Sequence, residues 1–272
     1  MNRRMLFTVL CCVSSVQAVW QDKTFLQDGQ LTETDQYVQV FVYDSPPVIT
    51  NIVINGGQIG TLFTHDNSRT VISGGTFSDE YYQYHPENND GDNVILAPYE
   101  SRVYTYDQST VIYNNGSLAN IECDDWSNLT VGGGNCSISA LENSTVNITG
   151  GVINDITTMD DLLQAEVNSK FYLTGGTFPG TVFLTDDSEM HIYGYGFAYN
   201  PNGQISTVKG GILQVGILNG FWGNDTPFEI NFLDRFSENS YDHVYLHPIP
   251  EPVTLLIFIL GAVAMRKIKG IS

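Results

Sequence analysis

The amino-acid sequence predicts an all-β protein built as a right-handed parallel β-helix. Seven segments share a Ser or Thr, a short alternating stretch, and a Gly-Gly pair or a near equivalent. Apolar and polar residues alternate with a period of two in these segments, which is typical of a strand with one buried face. One unit cannot bury its apolar face alone, whereas stacked units share a continuous core. Regular spacing therefore favours the β-helix, and a β-sandwich, which needs alternating hairpins, is the alternative.

The repeat units set the predicted spacing of the stack. They begin at Thr50, Ser68, Ser109, Ser127, Ser144, Ser169 and Ser188. Successive starts lie 18, 41, 18, 17, 25 and 19 residues apart. The longest interval contains the Tyr- and Asn-rich stretch 81–92, which we interpret as a loop insertion. The 25-residue interval contains residues 158–167, whose composition predicts a short helical excursion.

Equivalent apolar positions predict the core of the stack. One inward set is Ile52, Ile72, Leu129, Ile148, Leu173 and Ile192, and a second is Phe77, Leu118, Ile153, Phe178 and Phe197. The repeats are expected to occupy residues 49–217. Residues 19–48 match the repeat poorly and are predicted to cap its start, and residues 218–248 to close its end, because end strands need protection.

The first 18 residues have the pattern of a secretory signal peptide. Arg3 and Arg4 precede an apolar stretch at 5–13, and Val16 and Ala18 occupy the −3 and −1 positions of a cleavage site. We expect signal peptidase to cut after Ala18 and the chain to be exported.

Residues 249–272 form a second processing signal. Pro250, Glu251 and Pro252 are followed by an apolar run at 253–265. The basic residues that follow the run are Arg266, Lys267 and Lys269. This order resembles the PEP-CTERM sorting tail of bacterial exported proteins. The resemblance implies that the apolar run holds the chain in the inner membrane, with its basic end in the cytoplasm, until an exosortase cleaves near the Pro-Glu-Pro triplet. A permanent membrane anchor without cleavage is the alternative.

The charge of the chain excludes some partners. Lys and Arg total 11 against 30 Asp and Glu, and removal of both terminal signals leaves 6 basic and 29 acidic residues. Such a surface repels nucleic acid, so no nucleic-acid partner is expected. Only Cys123 and Cys136 remain between the signals, where an oxidising exterior would allow them to pair or to stay free.

Acidic residues just before the repeat units are the candidate metal ligands. They are Asp66, Asp107, Asp125, Glu142 and Asp187. Stacking would align them along one edge, where a row of carboxylate oxygens can bind Ca²⁺. The alternative is that they bind backbone N–H groups of the bends, as Asp does in turns. No cofactor is otherwise expected. His243 and His247 offer two imidazoles, but no third ligand has a matching spacing.

Tyrosines in the insertion are the candidate glycan contact. Tyr81, Tyr82 and Tyr84 lie close together in the chain, and exposed aromatic rings can stack on sugars. Parallel β-helices include polysaccharide lyases and hydrolases, but the sequence contains no convincing pairing of acids with Arg, so we assign no catalytic residue. The expected function is a structural or adhesive protein of the bacterial surface or matrix, with envelope polysaccharide as its partner. A glycan-cleaving enzyme is the alternative.

Overall fold

The computed structural model describes residues 21–77, 101–158, 167–206, 212–234 and 239–251, and this part of the chain is all-β. It contains twenty strands and one short 3-10 helix, Ser240–His243. The strands, in chain order, are β1 (Gln21–Phe25), β2 (Gly29–Leu31), β3 (Gln36–Val42), β4 (Asn51–Ile54), β5 (Gln58–Thr64), β6 (Arg69–Ile72), β7 (Thr76–Phe77), β8 (Arg102–Thr105), β9 (Thr110–Tyr113), β10 (Ser117–Cys123), β11 (Asn128–Val131), β12 (Asn135–Ala140), β13 (Thr145–Ile148), β14 (Val152–Thr157), β15 (Lys170–Leu173), β16 (Thr181–Phe183), β17 (Glu189–Ser206), β18 (Ile212–Phe221), β19 (Pro227–Phe232) and β20 (Val244–Pro248).

The strands form two parallel ladders. The first contains β1, β3, β5, β8, β10, β12, β14, β16 and β19, and the short β7 also pairs in parallel with β5. The second contains β2, β4, β6, β9, β11, β13, β15, β17 and β20. Antiparallel strand pairing in the described residues is confined to β18 with β17 and β19. The predicted all-β class is confirmed, and the parallel ladders do not fit the β-sandwich alternative, which is built from antiparallel strands.

The Ser or Thr that begins each repeat unit lies at a buried bend before a strand of the second ladder. All seven of these residues are at most 1% exposed. A small side chain suits the crowded inner side of the bend. The Oγ of Ser188 also donates a hydrogen bond of 2.6 Å to the carbonyl of Thr185. Four of the other hydroxyls have no hydrogen-bond partner among the described residues, namely those of Thr50, Ser68, Ser144 and Ser169.

The glycine pair turns the chain from the second ladder back to the first. Gly151 has a φ of +89°, a backbone conformation that residues with a Cβ rarely adopt. A Cβ at its neighbour Gly150 would lie 2.5 Å from the carbonyl oxygen of Gly132 in the preceding repeat. The first glycine therefore permits close stacking, and the second permits the turn.

The predicted core residues are buried, with one partial exception. The first inward set is fully buried, and four residues of the second set are at most 6% exposed. The fifth, Phe197, is only partly buried and packs against the edge of the core.

Both ends of the body belong to the ladders. Residues 21–42, predicted as a cap, also add strands β1, β2 and β3 to the two series. At the other end, β19 pairs with β16 and β20 pairs with β17. Trp222 is 2% exposed there and stacks on Phe228 with ring centroids 4.1 Å apart. The predicted helical stretch 158–167 lies almost wholly outside the described residues.

Candidate functional site

The predicted sorting motif begins where the last strand ends. After β20, the N–H of Ile249 donates a hydrogen bond of 2.8 Å to the carbonyl of Gly194. Pro250 and Glu251 are exposed just beyond this bond. Pro252, the basic residues Arg266, Lys267 and Lys269, and the cleavage residue Ala18 lie outside the described residues. In the ranges that are described, no helix has the length and apolarity needed to cross a membrane.

Four of the five predicted acidic ligands share one bend conformation. They are Asp66, Asp107, Asp125 and Glu142, and their φ angles lie between 48° and 58°. In the last repeat this position belongs to Asp186, with φ 54°, and not to the neighbouring Asp187 that the sequence suggested. Asp tolerates this left-handed region better than most residues, which explains its recurrence here.

The carboxylates of this acidic row bind backbone N–H groups of the preceding repeat. The N–H of Asp44 donates to Asp66 Oδ2 at 3.1 Å, and the N–H of Asp66 donates to Asp107 Oδ2 at 3.0 Å. The N–H of Asp107 then donates to Asp125 Oδ2 at 3.0 Å. For these residues the structure has the bend-capping role that the sequence left open beside calcium binding.

Three carboxylates converge further along the row. Ligand oxygens of Asp124, Asp125 and Glu142 lie within 4.8 Å of one another. Burial, with the nearby charges of Asp124 and Asp125, raises the pKa of Glu142. Ca²⁺ takes six to eight oxygen ligands, so water would have to complete a site here. Asp66, Asp107 and Asp187 are not part of this group.

An aromatic face on the first ladder was missed by sequence reasoning. Phe41, Phe63 and Tyr104 stack in one column, with centroids 4.9 and 5.1 Å apart. A second column contains Tyr43, His65 and Tyr106, with centroids 4.6 and 4.9 Å apart. The signal was an aromatic–x–aromatic–Asp sequence repeated at 41–44, 63–66 and 104–107. Because the rings cover one another's faces, the columns present ring edges to solvent.

The remaining candidates are the tyrosines of the insertion and the two cysteines. Tyr81, Tyr82 and Tyr84 lie outside the described residues. Cys123 and Cys136 are buried and are not joined by a disulfide. Burial raises the pKa of each thiol to about 12, so neither is a thiolate at neutral pH.

His243 and His247 do not face each other. Nδ1 of His243 lies 3.1 Å from the carbonyl oxygen of Ser188, and Nε2 of His247 lies 2.9 Å from Nδ1 of His191.

A scan against protein-family models, a search of curated proteins and a search of solved structures each found no match to the chain.

Proposed function

We propose that this chain is an exported bacterial surface or matrix protein, structural or adhesive and without a catalytic site, that an exosortase sorts through its PEP-CTERM tail. One observation carries the proposal. Within the described residues, the backbone pairing of the body ends at Ile249, and Pro250 and Glu251 are exposed immediately after it. A processing enzyme could thus reach the start of the Pro-Glu-Pro triplet without unfolding the body, since Pro cannot join a ladder as a donor.

We infer that the body is one right-handed parallel β-helix. Two series of parallel strands, whose members alternate along most of the chain, support this inference. The twist of β-strands favours right-handed crossovers between parallel strands. A rigid, strongly acidic rod of this kind fits a role as a soluble spacer or adhesive unit in a hydrated polysaccharide layer, because like charge opposes its aggregation.

The intact mass of the protein from its native envelope fractions tests the sorting route. The comparison variant carries Ala at Pro250, Glu251 and Pro252. The proposal expects a wild-type protein that lacks both terminal signals, and a variant that keeps its tail in the inner membrane. A wild-type chain that still ends at Ser272 in the membrane would make the tail a permanent anchor and overturn the exosortase step.

The role of the body needs a separate measurement. We expect purified protein to bind envelope polysaccharide in a pull-down, and the combined change of Tyr81, Tyr82 and Tyr84 to Ala to reduce that binding. The same preparations, incubated with acidic and neutral polysaccharides, should release no new reducing ends or unsaturated sugars. Clear turnover would replace the structural role by the alternative of a glycan-cleaving enzyme.

A further inference from the structure

Two histidines from different strands meet on the outer side of the second ladder. β17 and β20 pair in parallel, with His191 opposite Tyr245 and Tyr193 opposite His247. The two imidazoles are therefore diagonal neighbours, and His191 Nδ1 lies 2.9 Å from His247 Nε2. The side chain of His191 is 17% exposed and His247 is half-buried, so both rings lie at the surface and are partly shielded from water.

Stacking holds both imidazoles in place. His191 lies between Tyr172 and Tyr245, with centroids 5.0 and 5.1 Å away and interplanar angles of 9° and 22°. His247 stacks on Tyr193 at 4.5 Å and 12°. Side chains fixed in this way lose little conformational freedom when they bind a ligand, which favours binding.

A carboxylate on the far side of His191 fixes its tautomer. Glu189 Oε2 lies 3.2 Å from His191 Nε2 and 3.1 Å from Lys170 Nζ. Lys170 Nζ forms an ion pair with this carboxylate, and a carboxylate accepts hydrogen bonds without donating them. His191 Nε2 must then carry the hydrogen, and the lone pair of the neutral ring lies on Nδ1, which points at His247.

This arrangement is the one that imidazole ligands of metals commonly have. A metal-binding His usually donates its other N–H to a carboxylate or carbonyl, which orients the ring and makes it a better ligand. We propose that His191 Nδ1 and His247 Nε2 form a two-imidazole site for a divalent transition cation, with water in the remaining positions. Imidazole suits Cu²⁺, Ni²⁺ and Zn²⁺, and Cu²⁺ binds most tightly in that series.

Small changes convert the present hydrogen bond into a metal site. In the metal-free pair, His247 Nε2–H donates to His191 Nδ1, so binding requires the neutral His247 ring to carry its hydrogen on Nδ1 instead. Cu²⁺ prefers tetragonal coordination, in which bonds of about 2.0 Å at right angles place two ligand nitrogens roughly 2.8 Å apart, close to the present 2.9 Å. Both rings must turn within their stacks, so that the two lone pairs converge on the cation instead of lying along the line between the nitrogens.

The proposed site would link the last strand to the body. His247 lies on β20, two residues before Ile249, whereas His191 lies on β17. A cation held by both would stabilise the docking of β20, because a ligand that binds only the folded state raises its stability. This inference does not depend on the sorting role of the tail.

Copper titration of the full chain, purified in detergent without a histidine tag, tests the proposal. The protein is stripped with EDTA and titrated with CuCl₂ in excess Ca²⁺, which occupies oxygen-only sites. We expect one equivalent of Cu²⁺ with a two-nitrogen paramagnetic resonance signature and a higher melting temperature. His191→Gln and His247→Gln should each weaken binding at least tenfold, whereas the control His243→Gln should not.

Glu189→Gln provides a second variant that keeps both imidazoles. It should weaken Cu²⁺ binding by about 10–100-fold, the effect typical of losing such a carboxylate partner. Circular dichroism of every variant checks that the β-structure is retained. Absence of one-equivalent binding by the wild type, or binding that is equal in His247→Gln and His243→Gln, would overturn the proposal.

Discussion

The backbone N–H of Asp66 donates a hydrogen bond of 3.0 Å to the carboxylate of Asp107, which lies 41 residues later in the chain. The two residues occupy equivalent bends of successive repeats and have nearly the same φ, 58° and 57°. Each acid of this kind thus serves two purposes. Its backbone accepts a left-handed bend, and its side chain satisfies a donor in the neighbouring repeat.

Asp107→Ala and Asp107→Asn distinguish the loss of the capping hydrogen bond and of the bend preference from the loss of the negative charge alone. Ala removes the acceptor and disfavours a positive φ, so we expect it to lower the free energy of unfolding by about 1–2 kcal/mol. Asn keeps a side-chain oxygen and tolerates the bend, so its effect should stay within about 0.5 kcal/mol. Urea unfolding measures both. Equal losses in the two variants would show that the negative charge, and not the capping bond, stabilises the bend.

Gly151→Ala tests the requirement for glycine at the turn between the ladders. The φ of +89° at this position is strained for Ala, and we expect a loss of about 1–3 kcal/mol in the free energy of unfolding. Gly132→Ala is the matched control, because a Cβ there would meet only the movable side-chain oxygen of Asn114, at 2.9 Å. Thermal unfolding compares the two. A loss in Gly132→Ala as large as that in Gly151→Ala would contradict the role of the turn.

Features imposed on every repeat could be predicted from sequence. A buried Ser or Thr at the bend, such as Ser144, and a glycine with positive φ at the turn, such as Gly151, recur because each repeat has the same local geometry. The order of the strands and the inward positions followed from the same repetition. The sequence prediction placed Asp187 at the last bend, where the structure has Asp186, because both are acidic and only the backbone φ distinguishes them.

Contacts between distant repeats could not be predicted in the same way. His191 and His247 are 56 residues apart, and their contact depends on how β20 returns to the second ladder after β18 and β19. Phe63 and Tyr104 stack across the long insertion, which separates two copies of the aromatic–x–aromatic–Asp sequence and so makes that signal hard to recognise. Such pairs depend on the register between neighbouring strands. The alternation of side chains within one strand shows only which residues face the same side of the sheet.

Trp222 is expected to stabilise the C-terminal end of the body. It is 2% exposed, stacks on Phe228, and its indole N–H donates a hydrogen bond of 3.0 Å to the carbonyl of Gly176. Trp222→Ala should cost about 3–5 kcal/mol, because it leaves a cavity and removes that donor. Trp222→Phe keeps a ring but not the donor, so we expect a loss of about 1–3 kcal/mol. Chemical unfolding followed by circular dichroism measures both losses. Free energies of unfolding equal to that of the wild type in both variants would contradict this role of Trp222.

Glu142 is expected to make stability depend on pH in the opposite sense to an ion-paired acid. Its pKa is raised by burial and by Asp124 and Asp125, so the folded protein holds this proton more tightly than the unfolded chain does. The resulting destabilisation is present above the folded-state pKa and disappears as the pH falls through it. Glu142→Gln should therefore raise the melting temperature at pH 7, and the gain should shrink near pH 4.

The matched control for this prediction is Glu229→Gln, which changes an exposed acid on β19. It should shift the melting temperature little at either pH. Calcium gives a second measurement, because a cation held by Asp124, Asp125 and Glu142 would relieve the same repulsion. If Ca²⁺ binds there, it will stabilise the wild type more than Glu142→Gln. A gain in Glu142→Gln that persists unchanged to pH 4 would show that repulsion among these carboxylates is not its cause, since protonation removes that repulsion in the wild type.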